Sequence, residues 1–270
     1  MFAATVCAPV HAEVHRVISL NPCLDTILVD VADRDQIAAL SHYAREPHDS
    51  SVAAVAAALP IVYETAEEVI ALHPDLVLAG RHNALATRNA LDRLGVRTAL
   101  FDVPESVADS IAQVKDVARL VDRVDRGNEV VARIEAALDE AKAPPGARAP
   151  TALIFQPNGL APGAGTLANE MLQRTGFINV ADRYGLRKWQ NVALEQVIAD
   201  PPEVLLSGEP YPGAPTWAER IMSHPALKHL AGRMVQATFP ERLLYCGGPV
   251  LIETAAALAS ARIHAAEILP

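Results

Sequence analysis

Short apolar runs alternate along this chain with longer segments in which apolar side chains recur every three or four positions. The first pattern predicts buried strands and the second predicts amphipathic helices. In the first half, strands are predicted at 14–20, 37–40, 76–79 and 97–101, and helices at 24–31, from 66, at 84–94 and at 106–121. Strands that alternate with helices in this way favour a parallel sheet.

The second half restarts the same alternation after a clear break at 143–150, a segment rich in proline and glycine. A helix predicted at 126–142 runs directly into this break and is placed to act as a rigid spine. Beyond it, strands are predicted at 151–155 and 234–237, and helices at 167–175, at 216–223 and up to about 266. Each half therefore has the elements of a small α/β unit of its own.

One unit of helix, turn and strand occurs twice. Residues 67–80 align without a gap on residues 195–208, and seven of the fourteen positions are identical. In the first copy Thr65, followed three residues later by Glu68, predicts a capping box at the start of the helix. A unit present once in each half predicts two similar lobes, and two-lobed proteins bind ligands between the lobes.

Composition excludes several classes of protein. The apolar fraction of 51% is enough to form a core and argues against disorder. A formal charge of −9, with no basic cluster interleaved with aromatic residues, argues against nucleic-acid or anionic-membrane partners. No apolar stretch has the length that a membrane-spanning helix needs.

The first twelve residues carry no charged side chain, and Val10-His11-Ala12 fits a signal-peptidase site. We therefore expect residues 1–12 to be a truncated signal peptide, although the basic segment that usually begins one is missing. Cleavage there removes Cys7 and leaves Cys23 and Cys246. These two cysteines are open to three interpretations: buried spectators, thiols next to a ligand, or a bridge between the lobes, which we expect least because it would lock the gap between them.

Taken together, these elements resemble the substrate-binding proteins of ABC importers for iron chelates and cobalamin. The matching segments are 17–22, 67–80, 165–167, 176–180 and 195–208. The resemblance covers roughly residues 16–265, and it depends on the order and spacing of the segments rather than on any single motif.

The resemblance implies an α/β fold of two similar Rossmann-like lobes with parallel sheets, joined by a long spine helix, with the ligand cleft between the lobes. We expect an N-terminal lobe at 13–121, the spine helix and linker at 122–150, and a C-terminal lobe at 151–270. The implied function is that of a monomeric periplasmic protein that captures a bulky metal chelate and delivers it to ABC permease subunits in the inner membrane. No catalysis, cofactor or metal-ion site is expected.

Cleft residues are predicted from the loops at the carboxyl ends of the strands, where open α/β sheets bind ligands. The ligand-binding candidates are Asn21, Pro22, Cys23, His42, Tyr43, Arg45, Tyr63, Arg81, His82, Gln156, Asn158, Trp189, Tyr211, Tyr245 and Cys246, with Glu209 as a further loop residue. Aromatic residues make up only 4% of the chain, yet five of them fall in these loops, which suits a large flat ligand such as a corrin or a porphyrin.

Two acids match the family's docking pattern. Members of the family pair one acidic residue near the top of each lobe with arginines of the permease, and Glu67 and Glu195 occupy equivalent positions in the two copies of the repeat. The resemblance therefore implies that they dock the permease. The alternative is that each acid only favours the first turn of its own helix.

The identity of the cargo stays open at this point. Arg45, Arg81 and His82 suit an anionic ligand such as a ferric siderophore or the propionates of haem. Cobalamin and ferric siderophores are the first candidates, and haem is the alternative, with Tyr43 or His42 as axial ligand. His42 and His48 lack the spacing of a metal-ion site. The competing class is a cytosolic α/β enzyme, but no phosphate loop, nucleophile elbow or metal-hydrolase motif is present.

Overall fold

The structure, a computed structural model, describes residues 14–82, 85–156, 159–208, 225–228, 230 and 233–269. The first half contains β1 (Val17–Ser19), α1 (Pro22–Val31), β2 (Ile37–Ser41), α2 (Ala53–Ala56), β3 (Ile61–Val62), α3 (Ala66–Ala71), β4 (Leu76–Gly80), α4 (Leu85–Arg93) and β5 (Thr98–Phe101). Two long helices follow, α5 (Val107–Leu120) and α6 (Val124–Glu140).

The second half contains β6 (Thr151–Phe155), β7 (Leu160–Pro162), α7 (Leu167–Arg174), β8 (Ile178–Asn179), β9 (Trp189–Asn191), α8 (Leu194–Ala199), β10 (Val204–Ser207), α9 (Pro225–Lys228), β11 (Val235–Thr238) and α10 (Val250–Ile268). Short 3₁₀ turns lie at Arg34–Gln36, His42–Arg45, Val180–Asp182 and Glu241–Leu243. The signal peptide expected at 1–12 and the helix expected at 216–223 fall outside the described residues.

Each half builds its own parallel sheet, as the alternation of strands and helices predicts. The first sheet has the strand order β3-β2-β1-β4-β5, and the second has the order β11-β10-β6-β8. Every residue of the central strand β4 is buried, which explains its continuous apolar run, because helices cover both faces of the sheet.

The two sheets also share a topology. The order β2-β1-β4-β5 in the first corresponds to β8-β6-β10-β11 in the second, and the first sheet has β3 in addition. The repeated sequence unit forms α3 and β4 in one sheet and α8 and β10 in the other, so both copies supply the equivalent strand. The fold is therefore α/β with two similar lobes, as the repeat predicts.

A helical layer joins the lobes. Helix α6 lies between them in sequence and packs on α5, α1 and α10. Its Gly127 faces α5 so closely that a Cβ there would lie 2.4 Å from the Ala118 Cβ. One buried apolar cluster includes Leu24 of α1, Ile134 of α6 and Leu251 of α10, so the core is continuous beneath the cleft.

The element boundaries differ from the predicted ones by one or two residues at most helix ends, where the final turns are irregular. Strands β3, β7, β8 and β9 were not predicted from the sequence. Of these, β7 and β9 pair antiparallel as a separate two-stranded sheet. Within the described residues, no helix is both long enough and apolar enough to cross a membrane.

Candidate functional site

Three aromatic rings meet at the carboxyl edge of the first sheet. His42, which follows β2, lies with its ring centroid 3.9 Å from that of Tyr43 and 5.0 Å from that of Tyr63, which follows β3. The tyrosines are 41% and 62% exposed, whereas the His42 Nδ1 atom is buried without a hydrogen-bond partner in the described structure. The first lobe thus presents a broad aromatic surface towards solvent.

Two acids lie next to these rings. Asp25 of α1 is fully buried and accepts hydrogen bonds from the backbone N–H and the hydroxyl of Ser41, the residue before His42. Burial raises the pKa of Asp25 to about 7, although hydrogen bonds from Ser19 and Ser41 act in the opposite direction. Sequence reasoning missed Asp25, whose signal is an acid on the apolar face of a helix.

Glu64, the second of these acids, follows Tyr63 and adopts a left-handed backbone conformation with φ 65°. Burial raises the pKa of its carboxyl group, and His42 lowers it to a smaller extent. Its Oε1 atom is buried and has no hydrogen-bond partner among the described residues. A strained backbone and an unsatisfied carboxylate oxygen together are typical of functional positions, and the sequence analysis did not single out Glu64.

A second aromatic pair lies on the other lobe. Trp189 of β9 and Tyr245, in the loop before α10, have ring centroids 5.8 Å apart. The Tyr245 hydroxyl donates to Oε1 of Gln156, which follows β6 and is 2% exposed. The Nε2 group of Gln156 has no partner in the described structure. Both sheets therefore end in aromatic and amide groups at their carboxyl edges.

Residues of the two lobes face each other across this site. Asp49, from the first lobe, helps to raise the pKa of Glu241 and of Tyr245 in the second, so the three groups are close together. Burial is the larger cause in both cases, and it raises the pKa of Tyr245 to about 12. The Arg242 guanidinium also donates to the Ser51 hydroxyl across the gap, at 3.2 Å.

A pocket lies along the carboxyl ends of β4 and β5, at the same edge of the first sheet as the aromatic surface but lined by other residues. Its lining includes Asn21, Cys23, Arg81, His82, Asp102 and Gln113. Asn21 caps α1 by accepting from the backbone N–H of Cys23 at 3.0 Å, and Pro22 occupies the first helical position. Arg81 pairs with Asp102 at 3.0 Å, and the His82 Nε2 lies 3.6 Å from the same carboxylate.

Arg45 is engaged elsewhere. Its guanidinium donates to the backbone carbonyls of Ala56 at 3.2 Å and Leu59 at 2.6 Å, which holds α2 against the turn at His42–Arg45. We therefore leave Arg45 out of the cargo contacts proposed below. Asn158, Glu209 and Tyr211 lie outside the described residues.

Cys23 and Cys246 form a disulfide with a Cα–Cα distance of 4.9 Å. The sequence left three interpretations of these cysteines open, and the structure shows the third, a bridge between the lobes. The expectation that the gap between the lobes carries no such bridge is wrong for this chain. A continuous core and the helical layer already limit large movements of the lobes, and the disulfide adds a direct covalent connection between α1 and the loop before α10.

Glu67 and Glu195 are both exposed and both lie in the first turn of the equivalent helices α3 and α8. Neither carboxylate forms an ion pair with a described side chain. The two acids therefore occupy equivalent, exposed positions in the two copies of the repeat.

Two like α/β lobes that are joined by a helical layer and carry aromatic and amide groups at the carboxyl edges of their sheets are typical of ligand-binding proteins. The model of the family described as periplasmic binding protein matches residues 17–232. The chain therefore belongs to the periplasmic binding protein family.

Solved structures agree on the fold. A possible iron-binding (periplasmic solute-binding) protein from Staphylococcus epidermidis is 22% identical, with a TM-score of 0.74, and the match covers 93% of this chain and 99% of that one. The haem-binding protein RhuT from Roseiflexus sp. RS-1 is 22% identical, with a TM-score of 0.72 and coverage of 94% and 100%. The vitamin B12-binding protein BtuF of Vibrio cholerae is 15% identical, with a TM-score of 0.70 and coverage of 94% and 99%. The comparison with curated proteins found no match.

Proposed function

We propose that this protein binds a bulky metal chelate, cobalamin or a ferric siderophore, in the cleft between its lobes and delivers it to the permease of an ABC importer in the inner membrane. The observation that carries the proposal is the pair of aromatic surfaces, His42, Tyr43 and Tyr63 on one lobe and Trp189 and Tyr245 on the other. Exposed aromatic faces suit a large conjugated ligand, and family membership supports the role in transport.

Further groups fit such a cargo. Asn21, Arg81 and His82 line the pocket at the carboxyl ends of β4 and β5, and the unpartnered Nε2 group of Gln156 offers a donor beside Tyr245 of the second aromatic pair. Hydrogen bonds from groups of this kind orient a ligand that aromatic faces hold without directional preference. We infer a binding rather than a catalytic role, in a monomer with lobes at 13–121 and 151–270 and the spine and linker at 122–150.

We also propose that the protein acts in the periplasm. Family membership supports this location, and so does the Cys23–Cys246 disulfide, because such bonds persist in oxidising compartments and are rare in the cytosol.

The experiment is a visible absorption spectrum of protein purified from its native host, followed by titration of the emptied protein with cyanocobalamin, a ferric hydroxamate, a ferric catecholate and haem. Binding is followed by the fluorescence of Trp189, with Trp189→Phe as the control that removes the signal from the cleft. We expect micromolar or tighter binding of one chelate, recovered chemically unchanged. Failure of all four chelates to bind would overturn the proposal.

Haem is the second candidate, because His42 packs against Tyr43 and Tyr63 within the first aromatic surface. Histidine and tyrosine are both axial ligands of haem iron. If haem binds, His42→Ala and Tyr43→Phe are expected to shift the Soret band to different extents, and the larger shift identifies the ligand. Identical spectra for both variants and the wild type exclude these two residues as axial ligands.

A further inference from the structure

The Cys23–Cys246 disulfide joins the two lobes directly. Cys23 is the second residue of α1 in the first lobe, and Cys246 lies in the loop before α10 in the second, 223 residues further along the chain. The bond is therefore a covalent connection between the lobes in addition to the chain that passes through α6.

The loop that carries Cys246, residues 245–249 (the Cys246 loop), is tightly fitted to the first lobe. The backbone N–H of Gly248 donates to the Ser110 hydroxyl at 2.6 Å. A Cβ on Gly247 would lie 2.5 Å from the same oxygen, and a Cβ on Gly248 would lie 2.7 Å from Cγ1 of Ile27. Only glycine lets the loop approach α1 and α5 this closely.

The bond also connects two sides of the proposed cargo site. Cys23 lines the pocket that contains Asn21, Arg81 and His82. Next to Cys246 is Tyr245, whose ring lies beside Trp189 and whose hydroxyl bonds to Gln156. A change in the distance between α1 and the Cys246 loop thus changes the distance between the cargo-facing groups of the two lobes.

We propose that the Cys23–Cys246 disulfide is a redox-sensitive latch, which holds the lobes at the separation that cargo binding requires. The effect on cargo depends on the proposed function, whereas the effect on the unliganded protein does not. A dithiol opens the latch by supplying two electrons and two protons: the S–S bond is reduced to the thiols of Cys23 and Cys246, and the dithiol is oxidised to its own disulfide. Without the bond, the contact of the Cys246 loop with the first lobe depends on the hydrogen bond from Gly248 to Ser110 of α5 and on van der Waals packing against α1 and α5.

The test is hydrogen–deuterium exchange of the unliganded protein, measured by mass spectrometry in three forms. These are the oxidised wild type, the wild type reduced with dithiothreitol and alkylated, and the Cys23→Ser/Cys246→Ser double variant. We expect exchange to become about tenfold faster in the first turn of α1 and in the Cys246 loop when the bond is absent, with no change in the middle of α6. The matched control is Ser110→Ala, which removes the hydrogen bond at the same contact but keeps the disulfide, and we expect little change from it.

Equal exchange rates in the first turn of α1 and in the Cys246 loop of all three forms would overturn the proposal that the disulfide is a latch. A uniform increase across α6 and both sheets would also overturn it, because the bond would then only oppose global unfolding. If the double variant does not fold, the exchange of the reduced wild type is compared with that of the oxidised wild type instead. Loss of the far-ultraviolet circular dichroism of the wild type on reduction contradicts the proposal, because the bond is then needed for the fold as a whole.

The effect on cargo is measured with whichever chelate the titrations identify. We expect reduction to raise the Kd about tenfold and Ser110→Ala to leave it nearly unchanged. An unchanged Kd after reduction overturns the effect on cargo. Failure of every chelate to bind the oxidised protein contradicts the proposed function instead, and leaves the latch to be judged by hydrogen exchange.

Discussion

Asp25 is a fully buried acid whose neighbours are hydroxyl groups rather than bases, and its raised pKa links folding to pH. The folded protein keeps the proton on Asp25 up to about pH 7, whereas the unfolded chain releases it near the ordinary aspartate pKa of 3.8. Between pH 3.8 and about 7 the folded state binds more protons than the unfolded chain, so the free energy of unfolding falls as the pH rises. The contribution of Asp25 to stability is therefore complete below its unfolded pKa and is lost as the pH rises through its folded pKa. The loss is at most about 1.4 kcal/mol per pH unit.

We therefore predict that the wild type loses stability relative to Asp25→Asn as the pH rises from about 4 to about 7, and that the difference then becomes constant. The measurement is the free energy of unfolding in urea at a series of pH values, in which the variant serves as the reference for all other titrating groups. If the difference in the free energy of unfolding between the two proteins stays constant from pH 4 to 8, the pKa of Asp25 is not raised in the folded protein.

Tyr63 tests the aromatic surface of the first lobe at a single residue. The ring is 62% exposed and stacks on His42, so we predict that Tyr63→Leu weakens chelate binding by roughly three- to tenfold, since a lost aromatic contact costs about 1 kcal/mol. Tyr63→Phe keeps the ring and is expected to bind almost as well as the wild type. Equal losses in both variants, measured by fluorescence titration, point to the hydroxyl group instead.

At the scale of the element, the two copies of the repeat differ at the start of the helix. Thr65 caps α3 by accepting from the Glu68 N–H at 3.3 Å, as the sequence predicts, although the Glu68 carboxylate bonds to the Tyr63 N–H rather than to that of Thr65. The equivalent residue in the second copy is Ala193, which has no side chain that can cap α8. Its backbone is nevertheless extended, with φ −71° and ψ 141°, as at Thr65.

We predict that Ala193→Thr stabilises the protein by about 1 kcal/mol, because the new hydroxyl satisfies an N–H group in the first turn of α8 and Gln196 stands where a capping box needs it. Thr65→Ala is the matched control and is expected to destabilise by a similar amount. Urea unfolding of both variants measures the effect. A destabilised Ala193→Thr protein means that the first turn of α8 differs from that of α3.

Elements with a strong local signal were predicted well, and elements without one were missed. Helices α5 and α6 follow from long periodic patterns, and the prediction of α1 begins only two residues late. Strands β7 and β9 have three residues each and pair across a long stretch of chain, and β7 ends in a proline. Their pairing joins residues far apart in the chain, so no local pattern indicates it.

At the scale of the whole molecule, Glu67 and Glu195 become equivalent because the two lobes repeat one topology. We predict that Glu67→Ala/Glu195→Ala reduces chelate import by roughly tenfold or more, because arginine–carboxylate contacts orient docked partners. The Kd for the chelate is expected to stay within about twofold of the wild-type value, since both acids lie in the first turns of helices rather than in the aromatic surfaces.

The control for this prediction is Glu129→Ala/Glu135→Ala, which removes two exposed acids from α6 and leaves α3 and α8 untouched. Import is measured by uptake of the labelled chelate into cells that depend on this protein. Wild-type uptake by the Glu67/Glu195 variant would show that docking uses other residues.

The sequence by itself determined the α/β class, the duplication and the cap on α3, because each of these depends on residues close together in the chain or on a repeat that can be aligned. It also located the loops that contain most of the site, since the carboxyl ends of parallel strands share one edge of a sheet. Only the tertiary structure decided that Cys23 bonds to Cys246 and that Arg45 donates to backbone carbonyls. It also decided that Asp25 bonds to Ser41 and that Glu64 lies beside His42. Those outcomes depend on distances between residues far apart in the chain, and the packing of the two lobes sets these distances rather than any local pattern.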